Sequence, residues 1–109
     1  MKVLIAIEPR SYREAIGEAI QRLRPHLMVA IVEPEDLFVE VGRFEPELVF
    51  ADRPDTLQSA GRCGWVEFRP YEEPPAKINL GGSLRELKEI DLPVLLSVVD
   101  EADELARTS

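Results

Sequence analysis

Apolar runs alternate with amphipathic segments along the first half of the chain. Residues 2–7, 27–32 and 48–51 are almost wholly apolar, as strands are when helices cover both faces of a sheet. Between these runs, apolar residues recur at helical spacing, at Tyr12, Ile16, Ala19, Ile20 and Leu23 and then at Leu37, Val41 and Phe44. Strands joined by single helices pair in parallel through right-handed crossovers. The pattern predicts a parallel sheet with the order 2-1-3.

The second half of the chain has a different pattern. Strand candidates at residues 65–68 and 76–80 are separated by a proline-rich link that is too short for a parallel crossover. We therefore expect the fifth strand to run antiparallel to the fourth and to form an edge. The prediction is one α/β domain over residues 1–109, in three layers, with a mostly parallel sheet of order 2-1-3-4, an antiparallel edge strand five and a C-terminal helix.

Turn and cap residues locate the remaining boundaries. Ser11 and Glu14 have capping-box spacing, which predicts that the first helix begins at Ser11. Asp91 has the character of an N-cap for the last helix. Gly81-Gly82 fits either a two-residue hairpin turn or a phosphate-binding loop, and residues 83–89 fit either a sixth strand or a helical turn.

Charge and composition exclude several classes of function. The net charge of −8 disfavours binding to nucleic acid or to an anionic membrane, although residues 1–26 carry a net charge of +2. The arginines of this basic part, Arg10 and Arg13 among them, fit a positive face for an acidic partner or a merely solvated helix surface. The apolar N-terminal segment is too short for a signal peptide, and the single cysteine, Cys63, fits a reducing compartment. We expect a cytoplasmic protein.

Two carboxylates follow neighbouring strands of the predicted sheet. Asp52 ends the third strand and Glu8 ends the first. Ligands of open parallel sheets bind at the carboxyl ends of the strands, so we expect Glu8 and Asp52 to share one edge, with Arg53 beside them. The alternative interpretation of Asp52 is a turn residue, because residues 52–55 are rich in turn-forming types.

The same stretch resembles a known family. Residues 46–52, Pro-Glu-Leu-Val-Phe-Ala-Asp, follow a helix that ends in Arg43-Phe44 and look like the third strand of the bacterial response-regulator receiver family, whose final Asp accepts a phosphoryl group. Leu4 to Glu8 and then Arg13 to Ile16 are similar to that family's first strand, acidic metal-binding turn and first helix. The resemblance covers residues 1–55. It implies a flavodoxin-like fold, Asp52 as phosphoacceptor, and Mg²⁺ bound by Glu8 and Asp52.

Three departures separate this chain from the family's pattern. The family has two acidic residues after strand one, where this chain has Glu8-Pro9. It has Ser or Thr at the end of strand four, where this chain has none between Ser59 and Ser83, and Lys-Pro after strand five, where this chain has Gly81-Gly82. Phosphoryl transfer to a carboxylate needs a divalent ion and fixed cations around the transferring oxygens.

We therefore expect a receiver-like regulatory or protein-binding module that has lost the phosphorylation switch and is neither an enzyme nor dependent on a cofactor. One alternative is a Mg²⁺-dependent aspartyl phosphoacceptor that uses Asp52 and Glu8, with Arg53 or Arg69 in place of the missing Lys. Another is a small-ligand sensor in which Glu33, after strand two, binds a ribose hydroxyl.

The apolar pattern of the last helix predicts an interaction surface. Its first two turns are apolar almost all round, so one face packs on the sheet and a second stripe, Val94, Val98 and Leu105, is left over. This stripe predicts a homodimer or a contact with a protein partner. The alternative is that residues 83–89 fold back over the stripe within the same chain.

Overall fold

The computed structural model describes residues 1–54 and 64–108; Cys63 lies outside this part of the chain. Over the described residues the chain forms six strands and three α-helices. In chain order these are β1 (Lys2–Ala6), α1 (Arg10–Leu23), β2 (Met28–Ile31), α2 (Leu37–Phe44), β3 (Leu48–Ala51), β4 (Gly64–Phe68), β5 (Ala76–Leu80), β6 (Ser83–Leu87) and α3 (Leu92–Thr108), with a short 3₁₀ turn at Pro34–Asp36 before α2.

The strands form one mixed sheet in the order β2-β1-β3-β4-β5-β6. The first four strands pair in parallel, as the alternation of strands and helices predicts. β5 runs antiparallel to β4, also as predicted, but it is not the edge, because β6 pairs antiparallel along its other side. The prediction of a mostly parallel sheet ending at strand five was therefore wrong, and residues 83–87 are strand rather than helix.

The turn between β5 and β6 explains the extra strand. Gly81 and Gly82 both have positive φ, 57° and 84°, a backbone conformation that residues with a Cβ rarely adopt. Two consecutive residues of this kind make the tight turn whose twist matches that of the flanking strands. The glycine pair is thus a hairpin turn.

Helices cover both faces of the sheet. One face packs against α1 and α3, whose buried side chains include Ile20, Leu95 and Val99. The other face packs against α2 through Leu37, with Val41 and Phe44 at the margin of the same cluster. Strand residues alternate between the two clusters because successive side chains point to opposite faces. The molecule accordingly has three layers.

The first helix begins earlier than the sequence predicts. Pro9 is its N-cap, in an extended conformation, and the Pro9 carbonyl accepts the backbone N–H groups of Tyr12 and Arg13 at 3.0 and 3.2 Å. No side chain caps this end, so the capping box predicted at Ser11 is not formed. The earlier start places Ser11 inside the first turn.

The last helix begins as predicted, but its second stripe is not exposed as expected. Asp91 Oδ1 accepts the backbone N–H of Val94 at 2.9 Å, which is an N-cap hydrogen bond. Val98, which we expected on a free surface, is only 4% exposed and belongs to the main core, whereas Val94 is half-buried and Leu105 is exposed. Val98 is therefore not available for the predicted interface of Val94, Val98 and Leu105.

The β5–β6 hairpin lies close to α3. The Arg85 guanidinium on β6 lies 2.6 Å from the Glu101 carboxylate on α3. At the turn, a Cβ added to Gly81 would be 3.5 Å from Leu105. Residues 83–87 thus fold back beside the helix within the same chain.

Candidate functional site

The candidate site lies where the parallel strands end. β1 and β3 are direct neighbours, with Ala6 opposite Ala51, so Glu8 and Asp52 follow paired positions at one edge of the sheet. β2 lies on the other side of β1 and brings Glu33 to the same edge. The prediction that Glu8 and Asp52 share an edge is confirmed. Their side chains, however, have different partners.

A buried arginine occupies the edge beside Glu8. The Arg13 side chain is only 4% exposed, and its Nη1 donates to the Ile7 carbonyl at 3.3 Å. The Arg13 guanidinium lies 3.3 Å from the Glu33 carboxylate and 3.7 Å from that of Glu8, both of which are about half exposed. Arg13 therefore supplies the positive charge that balances the carboxylates after β1 and β2.

The prediction that Arg13 lies on the helix surface is wrong. On α1, Arg13 shares its face with Gly17 and Ile20, both of which are buried. Gly17 leaves room there for the Ile31 side chain, which a Cβ at this position would overlap. A signal was present in the sequence, since positions 13, 17 and 20 have the spacing of one helix face.

Asp52 belongs to a second group of contacts. Arg53 Nε lies 3.0 Å from Asp52 Oδ1, and both side chains are about one-third exposed. The Arg53 carbonyl accepts the indole N–H of Trp65 at 2.8 Å, which ties this turn to β4. The Asp52 carboxylate is thus paired with the residue beside it and connected, through that residue, to a buried tryptophan.

Arg69, the other candidate for the missing Lys, contacts the backbone of Asp52 rather than its carboxylate. Arg69 Nε donates to the Asp52 carbonyl at 2.9 Å. Its terminal nitrogens lie 3.3 Å from the Glu67 carboxylate and 3.2 Å from that of Glu72. Arg69 therefore joins the ends of β3 and β4 to the link that leads into β5.

The antiparallel direction of β5 determines what the end of that strand can contribute. Because β5 runs opposite to β1, β3 and β4, its last residue and the Gly81-Gly82 turn lie at the other end of the sheet from Asp52. Its first residue, Ala76, is the one opposite Phe68, at the end of β4. A side chain placed after β5 cannot reach Asp52 in this topology.

Within residues 1–54 and 64–108, no group of three or more His, Cys, Asp and Glu side chains is arranged to hold a metal ion. The two carboxylates that the resemblance assigns to Mg²⁺ contact Arg13 and Arg53 instead. A divalent ion bound by this pair would have to compete with both guanidinium groups.

A groove of about 530 Å³ lies on the α1–α3 face. It is mostly apolar, and Tyr12, Ile16, Phe68 and Leu95 are among its lining residues. The Tyr12 ring stacks on that of Tyr71, with centroids 6.4 Å apart, and meets Phe68 edge-on. A hydrogen bond with the Tyr12 hydroxyl raises the pKa of the Tyr71 hydroxyl.

Comparison of the chain with protein-family models, with curated proteins and with solved structures found no match. The resemblance to the receiver family therefore rests on the residues quoted above. In the described ranges 1–54 and 64–108, no helix is long and apolar enough to cross a membrane.

Proposed function

We propose that this chain is a receiver-like domain that acts as a regulatory or protein-binding module without a phosphorylation switch. The observation that carries the proposal is the pairing of Asp52, the candidate phosphoacceptor. Its carboxylate contacts Arg53, and its carbonyl contacts Arg69. Both of these arginines hold the turn after β3 in place.

The chemistry of phosphoryl transfer supports this proposal. The attacking carboxylate must approach phosphorus while a divalent ion and fixed cations neutralise the transferring oxygens. At this edge the Glu8 carboxylate lies near Arg13 rather than beside a second acid. Because β5 is reversed, the position after this strand lies at the far end of the sheet, and the lysine that β5 brings towards the Asp52 end is Lys77, opposite Glu67. Among the described residues, neither a second acid directly after Glu8 nor a lysine after β5 stands where the receiver family has them.

A phosphorylation assay tests the proposal. The protein is incubated with Mg²⁺ and acetyl phosphate, and its intact mass is measured beside that of Asp52→Asn and of a receiver domain known to accept phosphate from this donor. We expect the control receiver to gain one phosphoryl group while this protein and Asp52→Asn keep their masses. A stoichiometric gain that Asp52→Asn abolishes would instead favour the Mg²⁺-dependent phosphoacceptor.

The nucleotide-sensor alternative has less support than the module. It requires the Glu33 carboxylate to accept hydrogen bonds from a ribose, and Arg13 already contacts that carboxylate. Thermal unfolding with and without ATP or NAD provides the measurement. We expect no shift in Tm with either nucleotide.

A further inference from the structure

β6 is the outermost strand at one end of the sheet and is the least covered of the strands described. Residues 83–86 are exposed, and only Leu87 is half-buried. The Leu84 side chain lies on the same sheet face as Asn79 and Trp65, the residues directly opposite it across β5 and β4. Leu84 is 78% exposed. Natural proteins usually protect such an edge, because its unpaired backbone groups can accept another strand.

The hairpin turn determines which backbone groups of β6 face β5. In a two-residue turn of this type, the flanking residues Leu80 and Ser83 form a hydrogen-bonded pair. Hydrogen-bonded and non-hydrogen-bonded pairs then alternate along an antiparallel ladder. Arg85 and Leu87 consequently direct their backbone N–H and C=O groups towards β5.

The outward groups belong to the two intervening residues. Leu84 and Glu86 direct their N–H and C=O groups away from β5, along the free edge. The strand is held in position by its antiparallel ladder with β5, and Arg85 also contacts Glu101 on α3 at 2.6 Å. The edge therefore offers two donors and two acceptors on a fixed strand.

We propose that β6 pairs antiparallel with β6 of a second copy of this chain, with Leu84 opposite Leu84. The outward groups allow three symmetric registers, centred on Leu84, Arg85 or Glu86. The registers centred on Arg85 and Glu86 place like charges directly opposite each other, which destabilises cross-strand pairs. The register centred on Leu84 pairs two exposed apolar side chains and places Ser83 opposite Arg85.

The proposed pairing would give the protein-binding module its contact surface. Its biological role therefore rests on the proposed function, whereas its geometry does not. It replaces the stripe on α3, whose central residue Val98 is buried. A single short strand from each copy makes a small interface, and small interfaces give weak, reversible association. Association must therefore be examined up to millimolar concentration.

Sedimentation equilibrium of three proteins tests the pairing. We expect the wild type to form a reversible dimer and Leu84→Glu to weaken dimerisation by about tenfold or more, because two carboxylates would face each other. Leu105→Glu is the matched control, since it makes the same change of charge at another exposed leucine. We expect it to dimerise like the wild type.

Two results would overturn the pairing. One is a wild type that remains monomeric up to millimolar concentration, which would leave the edge to an extended segment of another protein. The other is loss of the dimer in Leu105→Glu but not in Leu84→Glu, which would place the interface on α3. Circular dichroism checks the fold of each variant, and Leu84→Thr, which retains β propensity, takes the place of Leu84→Glu if that variant unfolds.

Cysteine cross-linking tests the register. In a Cys63→Ser background, which removes the chain's own thiol, Leu84→Cys should form a disulfide-linked dimer under mild oxidation, because paired Cα atoms lie within disulfide range. Arg85→Cys and Glu86→Cys should not. Linkage through either of these positions alone would overturn the proposed register. Because no phosphodonor is involved, failure here leaves the result of the Asp52 assay unaffected.

Discussion

Arg13 on α1 and Glu33 after β2 are joined across the edge of the sheet, with Nη2 and Oε2 3.3 Å apart. The arginine side chain is buried, whereas the glutamate is about half exposed. The same guanidinium also reaches the Ile7 carbonyl and the Glu8 carboxylate. One buried side chain thus connects α1 to the ends of β1 and β2.

We expect Arg13→Ala to lower the free energy of unfolding by about 2 kcal/mol, because it removes a buried stem and a hydrogen bond to the backbone, while the released carboxylates remain in water. Urea unfolding monitored by circular dichroism measures the change. Arg10→Ala is the control, since Arg10 and its partner Glu14 are both exposed and such pairs contribute little to stability. Equal effects of the two substitutions would contradict the structural role of Arg13.

Substitution of glycine by alanine should have opposite effects at two positions of the fold. A Cβ at Gly64 on β4 would lie 2.5 Å from Leu80 Cδ2 and 3.0 Å from Leu48 Cδ1, and both leucines are buried. We expect Gly64→Ala to destabilise the fold by about 1–3 kcal/mol through overpacking. Gly42 on α2 has no atom within 4 Å of such a Cβ, so Gly42→Ala should stabilise it by about 0.5–1 kcal/mol. Thermal unfolding of both variants measures these changes. A Gly64→Ala variant as stable as the wild type would contradict the packing of β4 against β5.

The sequence pattern was sufficient for the part of the fold in which each strand is followed by its own helix. β1, β2 and β3 are apolar runs between amphipathic segments, and right-handed crossovers then determine their order. β6 was harder to assign because most of its residues are polar and exposed, which leaves only a weak apolar pattern. In Ser83–Leu87 only Leu87 packs against the core, and the sequence of this segment also fits the capped start of a helix. The glycine pair before it was the stronger signal.

The candidate site was predicted in position but not in its contacts. Strand order alone brings Glu8 and Asp52 to one edge, so that part followed from the pattern. The role of Arg13 did not, because charged residues on a helix normally face water and the sequence does not show how deeply one face is buried. The burial of Val98 was missed for the same reason, since the pattern alone does not show how much of the apolar surface of α3 packs into the core.

Asp100 on α3 should make stability depend on pH. Arg24 contacts its two carboxylate oxygens at 2.7 and 2.8 Å, and this hydrogen bonding lowers the pKa of Asp100. A carboxyl whose pKa is lower in the folded state stabilises the fold above the ordinary Asp pKa, and this contribution is lost as pH falls through the lowered pKa.

We expect the wild type to lose more stability than Asp100→Asn as pH falls from above the ordinary Asp pKa to well below it, and the difference to be small because the pair is partly exposed. Urea unfolding across this range measures the difference. Glu104→Gln, a neutralised carboxylate on the same helix, serves as the control and should follow the wild type. Parallel curves for the wild type and Asp100→Asn would show that the ion pair contributes nothing.

Trp65 provides a natural reporter for the edge that holds Asp52. Its indole N–H donates to the Arg53 carbonyl at 2.8 Å, and Arg53 in turn contacts the Asp52 carboxylate at 3.0 Å. Because Trp65 is the only tryptophan in the chain and is buried, its emission reports on this turn. Binding of Mg²⁺ between Glu8 and Asp52 would release Arg53 and change the environment of the indole.

We expect titration with Mg²⁺ to leave the Trp65 emission unchanged, because the ion would have to displace a guanidinium group from each of the two carboxylates. Ca²⁺ at the same ionic strength controls for a general effect of divalent salt. Arg53→Gln is the informative variant, since it frees the Asp52 carboxylate while keeping the backbone carbonyl that Trp65 contacts. A saturable response to Mg²⁺ in the wild type, absent in Asp52→Asn, would contradict the proposed loss of the switch. A response that appears only in Arg53→Gln would instead identify Arg53 as the group that keeps the ion out.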